Sequence, residues 1–242
     1  MLDPVVYGKV IWYIHGGGFT TGSAKERRGI CLYLAKRFGY TCVSNNYRLS
    51  PEHKWPAHLD DCMEFYRALL GQGYHAGDML FAGESAGGTL VLSVALRAKA
   101  EGLPMPAGIW SFSPCTEQSE GFPSHTKNVV TDYMLGDALN RPGQNEAVFG
   151  SKSMDKEYLK DPYISPYYGD YTGLPPIYLA ASDTEVLFDD SVKLYEKLKQ
   201  EGHMVGIDIA HELCHAYPMF PQIPEAERTI AKAVEFMNGK GE

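Results

Sequence analysis

The sequence predicts an α/β protein with a mostly parallel central sheet covered by helices on both faces. Short apolar segments alternate with amphipathic helical segments along the 242 residues, and this alternation is typical of parallel sheets. The composition, 44% hydrophobic and 21% charged, suits a chain with a sizeable core. We therefore predict a single domain over residues 1–242. A serine between two glycines, directly after one of the apolar segments, marks the place where chemistry is expected.

Six short apolar segments are the predicted strands, and five amphipathic segments are the predicted helices. The strands cover residues 9–14, 41–45, 79–82, 108–112, 177–181 and 205–209, and the helices cover residues 23–38, 56–71, 89–101, 190–201 and 225–237. Ser23 and Glu26 form a capping box at the start of the first helix, and Gly39 ends it. Pro56 suits the first turn of the second helix.

Residues 114–176 interrupt this alternation. The segment is rich in proline, glycine and aromatic residues, with short helical pieces at 135–139 and 155–159. Because it leaves the carboxyl edge of the sheet, where α/β proteins form their sites, we interpret it as a lid or a wall of the substrate pocket. The alternative is a surface insertion without a functional role.

The net charge and the cysteine content limit the partners and cofactors that the protein is expected to have. The net charge of −8 and the pI of about 5.5 argue against nucleic acid or an anionic membrane surface as a partner. The five cysteines are scattered without Cys-x-x-Cys spacing, which favours reduced thiols over disulfides or a zinc site. No leader-like or membrane-spanning apolar run is present. We expect a cytoplasmic protein that acts on a neutral small molecule and needs no metal or organic cofactor.

The serine between two glycines is the candidate nucleophile. Gly83-Glu84-Ser85-Ala86-Gly87 follows apolar residues 79–82 and precedes a helix-forming stretch. Glycines two positions before and after the serine allow a sharp reversal that lifts the hydroxyl clear of the sheet edge. Ser85 can then attack a substrate. The same pattern also fits an ordinary strand-to-helix turn with a serine cap, so further groups must distinguish the two.

A glycine-rich loop supplies the next group. His15-Gly16-Gly17-Gly18 follows the first predicted strand, and backbone N–H groups in such a loop can stabilise the oxyanion that develops during acyl transfer. We predict Gly16 and Gly17 as donors, with Gly18 as a further candidate and the N–H of Ala86 completing the oxyanion hole. A phosphate-binding loop is disfavoured because no Gly-Lys-Ser/Thr follows.

A base and an acid are expected after the late strands, in the order serine, acid, histidine. His215 lies several residues beyond the last strand, with enough loop to reach the serine, whereas His211 is expected at the surface. Asp183 and Glu185 both follow the fifth strand and could both face the histidine. The chemistry of the residues alone does not separate these two carboxylates.

Taken together, these motifs resemble the hormone-sensitive-lipase-like family of α/β-hydrolase carboxylesterases. The resemblance covers nearly the whole chain from Val10 and rests on the serine segment, the acid and histidine loops and two further motifs, His15-Gly16-Gly17-Gly18-Phe19 and Tyr47-Arg48-Leu49-Ser50-Pro51-Glu52-His53. In relatives the acid lies two residues before a leucine, and that leucine lies two residues before an aspartate. Glu185 fills that position, although the family residue is usually aspartate, and Asp183 is the reserve.

The resemblance implies a serine esterase for short acyl esters, and the same chemistry would also serve lactone or amide hydrolysis. The alternatives are a non-catalytic relative that binds a small molecule, against which the presence of His215 argues, and an inactive form that lacks its cap. The expected pocket residues are Phe19, Tyr133, Met134, Phe188 and Tyr217. Family members usually carry cap helices and early strands before the first strand, where this sequence has only Met1 to Tyr7. Either the sequence is a shortened form, or the enzyme works with an open pocket and an exposed sheet edge. Because a bare edge strand can pair with another chain, we also expect a homodimer.

Overall fold

The central feature of the fold is a six-stranded, fully parallel sheet. The computed structural model describes residues 9–136 and 143–239. The strands are β1 (Val10–Ile14), β2 (Thr41–Val43), β3 (Met79–Glu84), β4 (Gly108–Phe112), β5 (Ile177–Ser182) and β6 (Val205–Ala210). They lie in the order β2-β1-β3-β4-β5-β6. This arrangement confirms the predicted α/β class with a parallel central sheet.

Helices cover both faces of the sheet. Their bounds are α1 (Arg28–Phe38), α2 (Ala57–Gly71), α3 (Ala86–Ala100), α4 (Ser124–Lys127), α5 (Gln144–Phe149), α6 (Lys156–Leu159), α7 (Phe188–Gln200) and α8 (Pro224–Met237). Alternate residues of β1 belong to the two hydrophobic cores, one on each face of the sheet. Trp12 belongs to the core cluster that includes residues of α2, α3 and α7, whereas Ile11 and Tyr13 belong to the cluster that includes residues of α1 and α8. A strand buried on both faces explains why its sequence is continuously apolar.

The parallel order brings the carboxyl ends of all strands to one edge. His15, Ser85, Ser113, Asp183 and His211 each directly follow a strand and therefore meet at this edge. The chain turns in opposite directions after β1 and β3, which are neighbours in the sheet. Such a switch point leaves a crevice outside the strand ends, and this is where α/β proteins bind ligands.

The first helix differs from the prediction at its start. It begins at Arg28, five residues later than expected. The N–H of Glu26 bonds the Ser23 side chain at 3.3 Å, but Ala24 donates its N–H to Asn46, and the chain forms a turn there. Half of a capping box thus forms a turn without starting the helix. The other strands and long helices agree with prediction to within three residues at each end.

The segment between β4 and β5 contains α4, α5 and α6. The predicted piece at 155–159 is confirmed as α6, whose first turn is capped by the Asp155 side chain accepting from the N–H of Tyr158. The piece predicted at 135–139 lies partly outside the described residues. Within the two described ranges, no helix is long and apolar enough to cross a membrane. Nor does that part of the chain hold a cluster of side chains suited to a metal ion.

Candidate active site

Ser85 sits on a sharp turn between β3 and α3. Its backbone adopts φ 56° and ψ −127°, which an L-residue rarely occupies, and its N–H bonds the carbonyl of Phe112 at 2.8 Å. A Cβ on Gly83 would lie 2.5 Å from the carbonyl oxygen of Gly87, and one on Gly87 would lie 2.1 Å from that of Ile14. Both glycines are therefore required for α3 to pack this close to β1 and β3.

The glycine loop after β1 corrects one predicted donor. The N–H of Gly16 donates to Oε1 of Glu84 at 2.7 Å, so it is already used. Gly17 and Gly18, with φ of 115° and 58°, line the cavity together with Ala86. The structure thus argues against Gly16, one of the two predicted donors. Gly16 instead fixes the loop to the strand end.

Glu84 is a buried charge whose partner the sequence did not reveal. Only 1% of its surface is exposed, and its Oε1 accepts from Nε of Arg27 at 2.5 Å as well as from Gly16. Burial alone would lower the pKa of Arg27, but the Glu84 carboxylate outweighs it and raises that pKa. Burial and the nearby Glu84 also raise the pKa of Tyr13 well above its ordinary value. Beside the cavity, the Arg27–Glu84 ion pair thus gives each of these two charges an opposite partner.

His215 and Glu185 form a buried pair. Nδ1 of the imidazole lies 2.6 Å from Oε2 of the carboxylate, and the two residues are 3% and 0% exposed. Oε1 of Glu185 accepts from the Ser113 hydroxyl at 2.8 Å and from the Ser182 N–H at 3.0 Å. The carboxylate is therefore held by three donors. Nε2 of His215 has no hydrogen-bond partner among the described residues, and the imidazole lines the same cavity as Ser85.

Asp183, the reserve acid, is engaged elsewhere. Its carboxylate lies 2.6 Å from Nδ1 of His211 and accepts the Glu212 N–H at 2.9 Å. His211 is 79% exposed, as expected for a surface histidine. Burial would raise the pKa of Asp183, but the hydrogen bonds from His211 and Glu212 outweigh it and lower that pKa. The structure therefore places Glu185, and not Asp183, against His215.

The segment between β4 and β5 clamps the loop that carries Glu185. The Asn128 amide donates to the carbonyls of Asp183 and Glu185 at 3.1 and 2.9 Å. Oδ2 of Asp132 accepts the Val186 N–H at 2.9 Å, and Oδ1 accepts the N–H groups of Met134 and Leu135. One buried carboxylate thus connects the acid loop to two residues of the cavity wall. Sequence reasoning missed Asn128 and Asp132, since nothing local marks their long-range partners.

The cavity above Ser85 has a volume of about 300 Å³. Two of the five predicted pocket residues, Phe19 and Met134, line it. The other apolar lining comes from distant parts of the chain: Cys115, Leu135, Val148, Phe149, Leu187 and Met219. Polar side chains on the lining are Thr20, Thr21, Arg27, Glu84, Gln118, Gln144 and Asn145. The segment between β4 and β5 thus supplies much of the wall.

The structure corrects the three remaining pocket predictions. Tyr133 is 89% exposed and lies outside the lining. Phe188 is half-buried at the start of α7 and is also not one of the residues that line the cavity. Tyr217 is fully buried and its hydroxyl bonds Thr229 at 2.7 Å. An aromatic residue near a site in sequence faces the core or the solvent as readily as the site, because one helical or loop step turns its side chain away.

Comparison with known proteins finds one family model and several enzymes that are similar to this chain. A family model described as alpha/beta hydrolase fold matches residues 11–219. An esterase of Acinetobacter venetianus is 31% identical over 94% of this chain and 74% of its own length. An acetyl-hydrolase of Streptomyces hygroscopicus is 30% identical over 95% of this chain and 75% of its own length.

Solved structures agree with these sequence relatives. The crystal structure of EstE5 soaked with p-nitrophenyl butyrate has a TM-score of 0.85 and 34% identity, and the match covers 96% of this chain and 77% of that one. A hormone-sensitive lipase from a metagenome library has a TM-score of 0.86 and 33% identity, over 96% of this chain and 78% of its own. The chain thus spans about three quarters of the length of these relatives.

Proposed function

Because the chain belongs to the hormone-sensitive-lipase-like family of α/β-hydrolase carboxylesterases, we propose that Ser85, His215 and Glu185 form its catalytic triad. The enzyme is a carboxylic ester hydrolase. The observation that carries the assignment of residues is the buried imidazole of His215. Its Nδ1 is bound to Glu185 at 2.6 Å, while its unpartnered Nε2 lines the cavity that contains Ser85.

The reaction follows from this arrangement. Oγ of Ser85 attacks the ester carbonyl carbon as Nε2 of His215 takes the hydroxyl proton. The carbon–oxygen bond to the alcohol then breaks, and His215 returns the proton to the departing alcohol. Water, deprotonated by the same imidazole, releases the acid from the acyl-enzyme. Glu185 holds the imidazole with Nδ1 protonated, so that Nε2 is the basic nitrogen when the serine attacks.

The backbone N–H groups of Gly17, Gly18 and Ala86 are the proposed oxyanion donors. Negative charge appears on the carbonyl oxygen only as the serine attacks, so fixed donors at that place stabilise the transition state more than the bound ester. All three residues line the cavity beside Ser85. Gly16 supports the loop through its bond to Glu84 and takes no direct part.

The proposed substrates are neutral esters with short acyl groups. The cavity of about 300 Å³ is lined on its apolar side by Phe19, Val148 and Phe149. Its charged groups, Arg27 and Glu84, neutralise each other at 2.5 Å, so an ionic substrate gains no unpaired partner there. The relative named an acetyl-hydrolase and the structure of EstE5 soaked with p-nitrophenyl butyrate support a preference for short acyl groups.

Hydrolysis of p-nitrophenyl esters from acetate to octanoate tests this proposal. We expect turnover of the short esters by the wild type and its loss in Ser85→Ala, with the fold of the variant checked by circular dichroism. Parallel assays with a panel of lactones and with a p-nitroanilide show whether the same triad also hydrolyses lactones or amides. A folded wild type that leaves all esters intact, or a Ser85→Ala variant that retains full activity, would contradict the assignment.

We also propose that the protein forms a homodimer through a sheet edge. Its proposed location is the cytoplasm. The edge strand β6 is half-exposed along most of its length, with Ile209 39% exposed, and an unpaired strand edge can pair with a second chain. Light scattering during gel filtration tests the assembly, with Ile209→Lys as the variant expected to dissociate it. A wild type that is monomeric at all accessible concentrations would contradict the dimer.

A further inference from the structure

Ser113 is a buried hydroxyl that lies between the acid and the base. It follows β4 directly, is 0% exposed and has a φ of 47°. Its hydroxyl donates to Oε1 of Glu185 at 2.8 Å and accepts the N–H of Ala216 at 3.0 Å. Ala216 is the neighbour of His215 and is itself in the left-handed region, with φ 55°. One side chain therefore contacts both the carboxylate and the loop that carries the imidazole.

The backbone at this place reaches the nucleophile as well. The carbonyl of Phe112, the residue before Ser113, accepts the N–H of Ser85 at 2.8 Å. The N–H of Ser113 donates to the carbonyl of Ala180 in β5 at 2.7 Å, which fixes the residue to the sheet. Two consecutive residues at the end of β4 thus bond the nucleophile turn, the acid and the histidine loop.

We propose that Ser113 is a positioning residue that sets the geometry between Glu185 and His215. The inference rests on the triad proposed above. Oε1 of Glu185 is held by Ser113 and by the N–H of Ser182, which leaves Oε2 to face the imidazole. A carboxylate held at one oxygen by two fixed donors cannot rotate away from its partner, and preorganisation of this kind keeps reacting groups aligned.

The unusual backbone of Ser113 supports the proposal. A left-handed conformation costs a residue with a side chain free energy and persists only where the surroundings hold it. Here it directs the hydroxyl between Glu185 and Ala216, where it is used once as donor and once as acceptor. Ser113 lies outside the cavity lining, so it has no route to contact the substrate. Its loss should therefore change the chemical step and leave substrate binding unaltered.

The variants Ser113→Ala and Ser113→Gly test this inference against Ser93→Ala. Glycine accepts the left-handed backbone without strain, so Ser113→Gly removes the hydroxyl with the least effect on folding. Ser93 is the matched control, since its hydroxyl is equally buried and donates to the carbonyls of Thr89 and Tyr163 at 3.0 and 2.8 Å, and bonds neither the acid nor the base. We expect kcat to fall about 10²-fold in both Ser113 variants, with KM unchanged, and wild-type kcat in Ser93→Ala.

The outcomes separate this inference from the proposed function. If the wild type is inactive, or Ser85→Ala is active, the triad itself fails. If the wild type is active and Ser85→Ala is not, while either folded Ser113 variant retains wild-type kcat, the positioning role is wrong. A rise in KM equal to the loss of kcat, or loss of folding in both Ser113 variants but not in Ser93→Ala, would assign Ser113 to structure and also overturn the proposal.

Discussion

Oε2 of Glu185 lies 2.6 Å from Nδ1 of His215, and both side chains are shielded from solvent. Two residues earlier, Asp183 makes a bond of the same length to His211, but that imidazole is 79% exposed. The loop after β5 thus presents two carboxylates to two histidines in separate pairs. Of the two histidines, only His215 lines the cavity with Ser85. This sorting supports Glu185 as the proposed acid of the two that sequence chemistry left open.

Neutralising the two acids should have opposite consequences. Glu185→Gln removes the charge that holds the imidazole with Nδ1 protonated, and a triad with the wrong tautomer loses about 10⁴-fold in kcat. Asp183→Asn breaks only a surface pair, so its kcat should stay at the wild-type value. Steady-state hydrolysis of p-nitrophenyl acetate by the two purified variants measures the difference. An inactive Asp183→Asn beside an active Glu185→Gln would transfer the role to Asp183.

Glu84→Gln should destabilise the protein and weaken catalysis. The substitution leaves Arg27 without its 2.5 Å partner beside the cavity, and removing one member of a buried ion pair costs about 3–5 kcal/mol. The glycine loop also loses a charged acceptor for the Gly16 N–H. Urea unfolding measures the stability. Glu120→Gln is the control, because Glu120 pairs with Lys156 at the surface at 2.6 Å. Equal stability of the two variants would contradict the role given to Glu84.

Asp132→Asn should alter acyl-chain preference as well as stability. The carboxylate bonds the N–H groups of Val186, Met134 and Leu135, and an amide offers only one accepting oxygen. Losing a buried acceptor costs about 1–3 kcal/mol, and the wall formed by Met134 and Leu135 becomes less fixed. We expect the ratio of kcat/KM for butyrate and octanoate esters to change.

Asp161→Asn is the matched control for Asp132→Asn. Oδ1 of Asp161 accepts the N–H of Tyr163 at 2.8 Å in a similar local turn, but the residue is exposed and touches neither the acid loop nor the cavity. It should retain the wild-type ratio. If both variants behave alike, the link between Asp132 and the cavity wall does not influence selectivity.

His58 should make folding sensitive to acid. Burial lowers the pKa of His58 to about 4, below the ordinary value of 6.5. The unfolded chain therefore takes up a proton first as the pH falls, and stability is complete above about pH 6.5 and decreases towards pH 4. Between about pH 7 and pH 5 the loss from this group is about 1–2 kcal/mol.

Urea unfolding of the wild type and His58→Gln at both pH values measures this contribution. All other ionisable groups are shared by the two proteins, so their effects cancel in the comparison. We expect the variant to lose less stability on acidification than the wild type. His53→Gln, at an exposed position in the turn that precedes α2, should behave like the wild type. Parallel losses in wild type and His58→Gln would show that the buried imidazole does not resist protonation.

The parts of the site that the sequence predicts are those encoded by adjacent residues. Gly83 and Gly87 are needed because their Cβ atoms would strike backbone oxygens, and this need shows in the sequence as a fixed spacing. The strands are similarly predictable, because burial on both faces makes β1 continuously apolar. The order of strands along the sheet then places Ser85 and His215 at one edge.

What the sequence could not predict depends on partners far along the chain. The sequence gives no reason to distinguish Gly16 from Gly17. Only the contact with Glu84, 68 residues away, shows that the N–H of Gly16 is already hydrogen-bonded. Ser113 is separated by 72 residues from Glu185 and by 103 from Ala216. The position of Tyr217 in the sequence predicts a pocket residue, but its hydroxyl bonds Thr229 in the core. Such contacts arise from tertiary packing and leave no local signal.

The acyl-enzyme on Ser85 is the central claim, and rapid quenching with mass spectrometry tests it most directly. The wild type is mixed with p-nitrophenyl acetate, quenched in acid within the first turnover and digested. One added acetyl group on the peptide that contains Ser85, absent from Ser85→Ala and hydrolysed on longer incubation, is the predicted result. Turnover of the ester with no acetyl group on that peptide, or with one stably attached elsewhere, would contradict the account.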